Sequence, residues 1–228
     1  MHKFIFFLLL STSLIADHIV LDKGIYKVWY SSELEQPIKV SYVVINRPNI
    51  VERGSLNFYK ETNIHTSDNK DYYGNEWDKG HMAPAIHFSD SAENLKATYS
   101  YVNSALQHMN LNRGAWRDLE TAVRNWAKNE TLFVENNILF KDDSFKLETG
   151  ATIPYGFEKH IKFVESGDTK CYFFPNEATD RSWNEYEQDC LENDAFSDQK
   201  ECNEHELFFI EPSNGFKTDK PKFKVKFG

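Results

Sequence analysis

The sequence predicts a mixed α/β protein of the α+β kind, with strand pairs arranged around at least one long helix. Three observations carry that expectation. Several short segments are rich in Val, Ile, Tyr and Phe and read as strands of a sheet. One segment after residue 113 carries a single apolar stripe at helical spacing. The 228 residues are 40% hydrophobic and 15% aromatic, enough to fill a substantial core and contrary to disorder. Ten Gly and seven Pro exclude a collagen-like or low-complexity chain.

The first element is a leader. Met1-His2-Lys3 is short and basic, Phe4 to Leu10 is an unbroken apolar run, and Ser11 to Ala16 drifts toward small residues. This pattern predicts a signal peptide over 1–16, with residues 17–228 as one domain in the periplasm or outside the cell. The apolar run is too short to span a bilayer, so no stable membrane association is expected. Tyr26 to Tyr30 and Ile38 to Ile45 then read as strands, and Asn46 to Asp78 as irregular chain with Arg47-Pro48 as a loop signal. Tyr99 to Leu106 alternates like a strand. Gly114 to Lys128 is the helix: Trp116, Leu119, Val123 and Trp126 fall at 0, +3, +7 and +10. Thr131 to Val134, Ile138 to Phe140, Ile161 to Val164 and Cys171 to Phe174 read as further strands. Asn176 to Asn203 is acidic and reads as a surface excursion held by cysteines.

The three cysteines, Cys171, Cys190 and Cys202, predict one disulfide and a spare thiol in an oxidising compartment. Cys190 to Cys202 would close a short acidic loop, and Cys171 could reach either. Cys202 and His205 form a C-x-x-H, but zinc sites usually join two such pairs and only one is present.

Two segments carry chemistry. In Trp77 to Ala85, His81 follows Gly80, which permits close backbone approach, and stands near Asp78 and Lys79. A neutral imidazole is the side chain best suited to take a proton from water near pH 7. Lys79 could place positive charge where phosphate charge builds up. In the second segment, Asn112 takes the cap position of the long helix, and Glu120 lies eight residues on, about 80° around an ideal helix. Both can point into one cleft, where an amide oxygen and a carboxylate would suit a hard cation such as Mg²⁺. The alternative for Glu120 is a solvated charge paired with Arg124 at i,i+4.

Asp78-Lys79-Gly80-His81-Met82-Ala83-Pro84, followed by Asn103, Gln107, Asn112, Trp116 and Glu120 at their spacing, resembles the DNA/RNA non-specific endonucleases of the ββα-metal (His-Me finger) superfamily. Weaker agreement covers Tyr26 to Ile45, Ile153 to Lys159 and Pro175-Asn176, so the likeness spans about residues 26–176 and leaves a cysteine-containing extension, 177–228. The resemblance implies a mixed central sheet flanked by helices with the site on a ββα unit. It implies His81 as general base and Asn112 as the one direct protein ligand of a single Mg²⁺, which Mn²⁺ could replace. Glu120 would orient a water of the ion's shell, Asn103 would support the site by hydrogen bonding and Lys79 would contact phosphate. Lys79 stands where the family usually has Arg, a point charge in place of a bidentate fork. Arg53, Arg113 and Arg117 are the candidate substrate-binding cations.

The implied activity is Mg²⁺-dependent hydrolysis of DNA and RNA with little sequence preference. Two other readings compete: a non-catalytic nucleic-acid-binding relic, and an extracellular structural or adhesion domain stapled by cysteines. The net charge of −9 sits awkwardly with a polyanionic substrate, because phosphate affinity comes from Lys and Arg. Cations must therefore be gathered in one cleft.

Overall fold

A computed structural model describes residues 18–190. The expected leader, Cys202, His205 and the rest of the C-terminal extension lie outside the described residues.

The α+β class expected from the sequence is observed. Seven strands form the central sheet, and every pairing in it is antiparallel. The first strand, β1 (Ile19–Asp22), pairs with β2 (Tyr26–Ser31) through a turn in which Gly24 has φ 79, a left-handed conformation that favours glycine. Next comes β3 (Gln36–Val44), where Tyr42, Val40 and Val44 alternate inward, the period-2 pattern of a half-buried strand. A separate two-stranded hairpin joins β4 (Trp77–His81) to β5 (Ser104–His108). The central sheet continues with β6 (Leu132–Leu139), β7 (Gly156–Phe163), β8 (Thr169–Pro175) and the two-residue β9 (Glu187–Gln188), in the order β1-β2-β3-β6-β7-β8-β9.

Three expectations are modified. Thr131 to Val134 and Ile138 to Phe140 are not two strands. They merge into β6 across the polar Glu135-Asn136-Asn137, because Asn136 is fully buried and donates from Nδ2 to Met82 O at 2.6 Å. Only the end of Tyr99 to Leu106 is extended: Tyr101–Asn103 is a 3₁₀ turn and the strand starts at Ser104. The third concerns the helix. It begins as a single turn, Met109–Leu111, widens into a π-type turn over Asn112–Trp116, and becomes regular over Arg117–Trp126. A short helix, Ala92–Thr98, also forms between the hairpin strands, its first turn capped by Ser91 accepting from Asn94 N at 3.1 Å.

The apolar stripe predicted for the long helix is its core face. Leu119 and Val123 are buried, and Trp116 packs on Phe157 of β7 and Phe174 of β8 at 5.5 Å each between ring centroids. Side chains of that size contribute about 1.5–3 kcal/mol each when fully buried. The hairpin is fixed to the sheet by polar anchors. Leu106 N donates to Gln36 Oε1 of β3 at 2.9 Å, and His108 N donates to Asn176 Oδ1 at 2.8 Å. Asn176 in turn donates to the carbonyls of Leu106 and Pro154, both at 2.9 Å, which gives the Pro175-Asn176 pair a structural role. Cys171 of β8 is joined to Cys190, so the segment after β8 folds back and adds β9 to the sheet edge. No helix among the described residues is long and apolar enough to cross a membrane.

Candidate active site

Two antiparallel strands followed by the kinked helix form a ββα arrangement, and a cleft of about 310 Å³ opens along it. Lys79, His81, Tyr99, Asn112, Arg113, Arg117 and Glu120 line it. Most of the residues expected from the sequence are therefore brought together. A larger depression, about 640 Å³ beside Trp126 and Gly167, carries none of them.

His81 ends β4, paired with Ser104 of β5. Gly80 before it is required by packing: an added Cβ would stand 2.7 Å from the Cβ of Gln107, closer than such atoms approach. The imidazole is wedged between Phe58 and Tyr99, with ring centroids at 4.8 and 4.9 Å. Burial, helped by the positive charge of Arg53, pushes its pKa down to about 4, so the ring is neutral at pH 7. Its Nε2 is enclosed and makes no hydrogen bond to the protein.

Asn103 does not face the cleft. Fully buried, it accepts at Oδ1 from Ala83 N at 2.8 Å and donates from Nδ2 to the carbonyls of Ala83 and Thr98 at 2.9 Å. Met82 N also donates to Asn103 O at 2.9 Å. These bonds clamp the chain that follows His81.

Asn112 does not cap the N-terminus of the long helix. Its backbone is helical (φ −58, ψ −45) and the cap position is lost because helical structure already starts at Met109. The irregularity falls at Gly114, whose φ −109 and ψ −116 leave the helix and produce the widened turn. Asn112 is aimed instead by Asp78 of β4, whose Oδ2 accepts from Asn112 Nδ2 at 2.9 Å. The same carboxylate takes Arg113 in a bidentate pair, at 2.7 Å from Nε and 2.6 Å from Nη2. Burial works against the charge of Asp78, but Arg113 and Asn112 outweigh it and hold its pKa below the usual carboxylate value. The sequence places Asp78 in the motif but carries no sign that it orients Asn112. The two residues lie 34 positions apart, and only the fold brings that carboxylate to the Asn112-Arg113 pair.

Glu120 is only 9% exposed, which excludes the solvated pair with Arg124. Burial raises its pKa to about 7, against the pull of the Lys159 ammonium and of the Trp116 indole. The remaining cations divide into committed and free. Arg117 pairs with its neighbour Asp118 at 2.9 Å on the exposed surface. Arg53 lies over the Tyr99 ring at 5.2 Å and its charge reaches both His81 and Lys79. Lys79 sits among the rings of Phe58, Tyr72 and Tyr101 at 5.5–5.6 Å and donates to Asn69 Oδ1. Burial, with Arg53 nearby, lowers its pKa.

A hairpin and kinked helix that gather a neutral, partly buried histidine, an amide with its nitrogen tied back and a buried carboxylate define a His-containing ββα site. The sequence agrees with that class over most of its length: residues 12–204 match the family described as DNA/RNA non-specific endonuclease. The chain belongs to that family. Among individual proteins it is similar to mitochondrial endonuclease G of Bos taurus, 33% identical over 75 residues, 32% of this chain and 25% of the relative. The chain thus matches about a quarter of that relative's length. Its fold is similar to a solved structure of the EndoG/EndoGI complex, with TM-score 0.65 and 23% identity, covering 75% of this chain and 80% of that one.

Proposed function

We propose that this protein is an exported endonuclease, periplasmic or secreted, that hydrolyses DNA and RNA phosphodiester bonds with little sequence preference and depends on Mg²⁺, for which Mn²⁺ could substitute. The observation that carries the reading is the convergence of His81, Asn112 and Glu120 on one cleft, in a chain of the DNA/RNA non-specific endonuclease family. The disulfide between Cys171 and Cys190 supports export, since such bonds persist in oxidising compartments.

The residues suit a hard cation. Asn112 has its nitrogen engaged with Asp78, which leaves Oδ1 as the atom it can offer. Among the described residues no group of three His, Cys, Asp or Glu could hold a metal ion. A cation held by one amide oxygen and mostly by water fits Mg²⁺, which dehydrates reluctantly. When bound, Mg²⁺ would stabilise negative charge on the phosphoryl oxygens and on the leaving 3′ oxygen.

His81 is neutral at pH 7 and takes the proton of the attacking water; with Nε2 enclosed, Nδ1 is the nitrogen that meets the water. Glu120 accepts hydrogen bonds from water in the cleft and orients it. Lys79 and Arg53 attract the scissile phosphate, and Arg53 adds to the burial that keeps His81 unprotonated. Products with 5′-phosphate and 3′-hydroxyl ends follow from this direction of attack. Phosphate contacts carry no sequence information, in keeping with broad specificity.

The test is incubation of pure protein with plasmid DNA and with RNA, with and without Mg²⁺, alongside His81→Ala. The wild type should cleave both only with the cation, and His81→Ala should lose about 10²–10⁴-fold. Cleavage in excess EDTA, or a His81→Ala rate within tenfold of wild type, would overturn the corresponding assignment.

A further inference from the structure

Behind the helix that carries Glu120, against Trp116, the core contains a second ionisable group that the chemistry above does not use. Lys159 projects from the middle of β7, between Asn136 of β6 and Tyr172 of β8, and is completely buried. Its Nζ hydrogen-bonds to no protein group and stands 3.9 Å from the centre of the Trp116 ring. Trp116 and Glu120 are four residues apart on the helix and therefore share a face. The carboxylate whose charge acts on the ammonium is that of Glu120. A buried ammonium is costly unless paired, and a lysine stem over an indole could be replaced by an apolar side chain with less penalty. The charge itself therefore calls for a role.

We propose that Lys159 is a positioning residue of the site: its buried ammonium holds the Glu120 carboxylate in place and ionised, so that the sheet behind the helix governs a group that lines the cleft. This inference rests on the role given to Glu120 above. Several elements contribute groups around Glu120. The helix supplies Trp116, β7 supplies Lys159, and β3 supplies the Tyr42 hydroxyl, which burial and Glu120 keep protonated. The turn after β4 supplies His87, whose Nε2 donates to the Glu120 carbonyl at 2.9 Å. Burial, with the charges of Lys159 and Arg124, keeps His87 neutral even though that bond works the other way. Lys159 is thus the cation of this group that acts on Glu120.

Lys159→Met keeps the stem over Trp116 and removes the charge. It should lower kcat by about tenfold or more at pH 7 with little change in KM, because Lys159 does not touch substrate. Lys159→Arg should recover most of the loss, and adding Lys159→Met to Glu120→Gln should cost nothing further. A Lys159→Met enzyme with unchanged kcat, or a double variant that loses the full additional factor, overturns the proposal. A second measurement needs no Lys159 variant and no turnover: the side-chain NMR titration of Lys159 should move to lower pH in Glu120→Gln than in wild type. An unmoved titration also overturns it. Should Glu120→Gln cleave normally, the role of Glu120 fails, while the titration still decides whether the two groups are coupled.

Discussion

The side-chain nitrogen of Asn112 donates to Asp78 Oδ2 at 2.9 Å, so the strand of the hairpin sets which atom of the amide faces the cleft. An unaided amide presents either end to a cation. Asp78 removes that ambiguity and also ties down Arg113 with its other lone pairs.

Asp78→Asn follows from this relationship. The variant keeps the shape but loses the charge, and its own amide can satisfy Asn112 in either orientation. Partners that orient a metal-binding side chain typically cost 10–100-fold in metal affinity when removed. The half-saturating Mg²⁺ for cleavage should rise by about that factor, with little change in melting temperature. An unchanged Mg²⁺ titration would show that Asn112 is aimed by something else.

Much of the frame was legible because it rests on periodicity. The stripe of Trp116, Leu119, Val123 and Trp126 is set by side-chain burial, and burial is what the helix reports. His81, Asn112 and Glu120 were legible as a set because motif spacing encodes which side chains share a cleft. The widened turn was not, since Gly114 leaves helical geometry without any apolar period to betray it. The continuity of β6 was hidden for a related reason: Asn136 is buried by a bond to Met82 O, and polarity in sequence reads as exposure. The burial of Lys159 was hidden as well, because a lysine in a strand ordinarily faces water.

The histidine behind the site should make the protein sensitive to acid. His87 is buried, and burial, with Lys159 and Arg124 adding to it, lowers its pKa from 6.5 to about 3. The unfolded chain therefore takes up a proton that the folded one refuses. The stability that neutral His87 confers is fully present above pH 6.5 and is lost as pH falls toward 3. From pH 6.5 to pH 5 this amounts to about 2 kcal/mol, and His81 acts in the same direction. His87→Gln should flatten that part of the curve when denaturant midpoints are compared at pH 7 and pH 5. Equal acid sensitivity in variant and wild type would remove His87 as the cause.

The disulfide makes a prediction that separates stability from chemistry. Cys171 and Cys190 close a loop of 19 residues that carries β9 and the turn Trp183–Tyr186, with Trp183 against Trp126. Replacing Cys190 by Ser should cost up to about 3 kcal/mol. The cleft residues all lie at or before Thr121, outside the disulfide loop, so activity at 25 °C should survive. Alkylation and mass analysis of the oxidised protein should find Cys171 linked to Cys190 and one free thiol. A Cys190–Cys202 link would contradict the structure.

The cleft also limits how an acidic chain can grip a polyanion. The net charge of −9 repels phosphate at a distance, so binding must come from the few cations at the cleft. Among those, Arg113 is already neutralised by the bidentate pair with Asp78, and Arg117 by Asp118. Among the described residues neither Lys79 nor Arg53 forms an ion pair with a carboxylate: the one faces three aromatic rings and Asn69, the other a tyrosine ring and the Leu56 carbonyl. For two to four phosphate contacts the salt slope on duplex DNA should be about −2 to −4, at about −0.9 per contact. Measured on His81→Ala protein at fixed Mg²⁺, Arg53→Ala should make the slope shallower by about 1, whereas Arg113→Ala should barely change it. The reverse order would mean that Asp78 releases Arg113 to the substrate on binding. A slope steeper than about −6 would require a larger basic footprint, and the lysines of residues 217–226, outside the described residues, would then be the place to seek it.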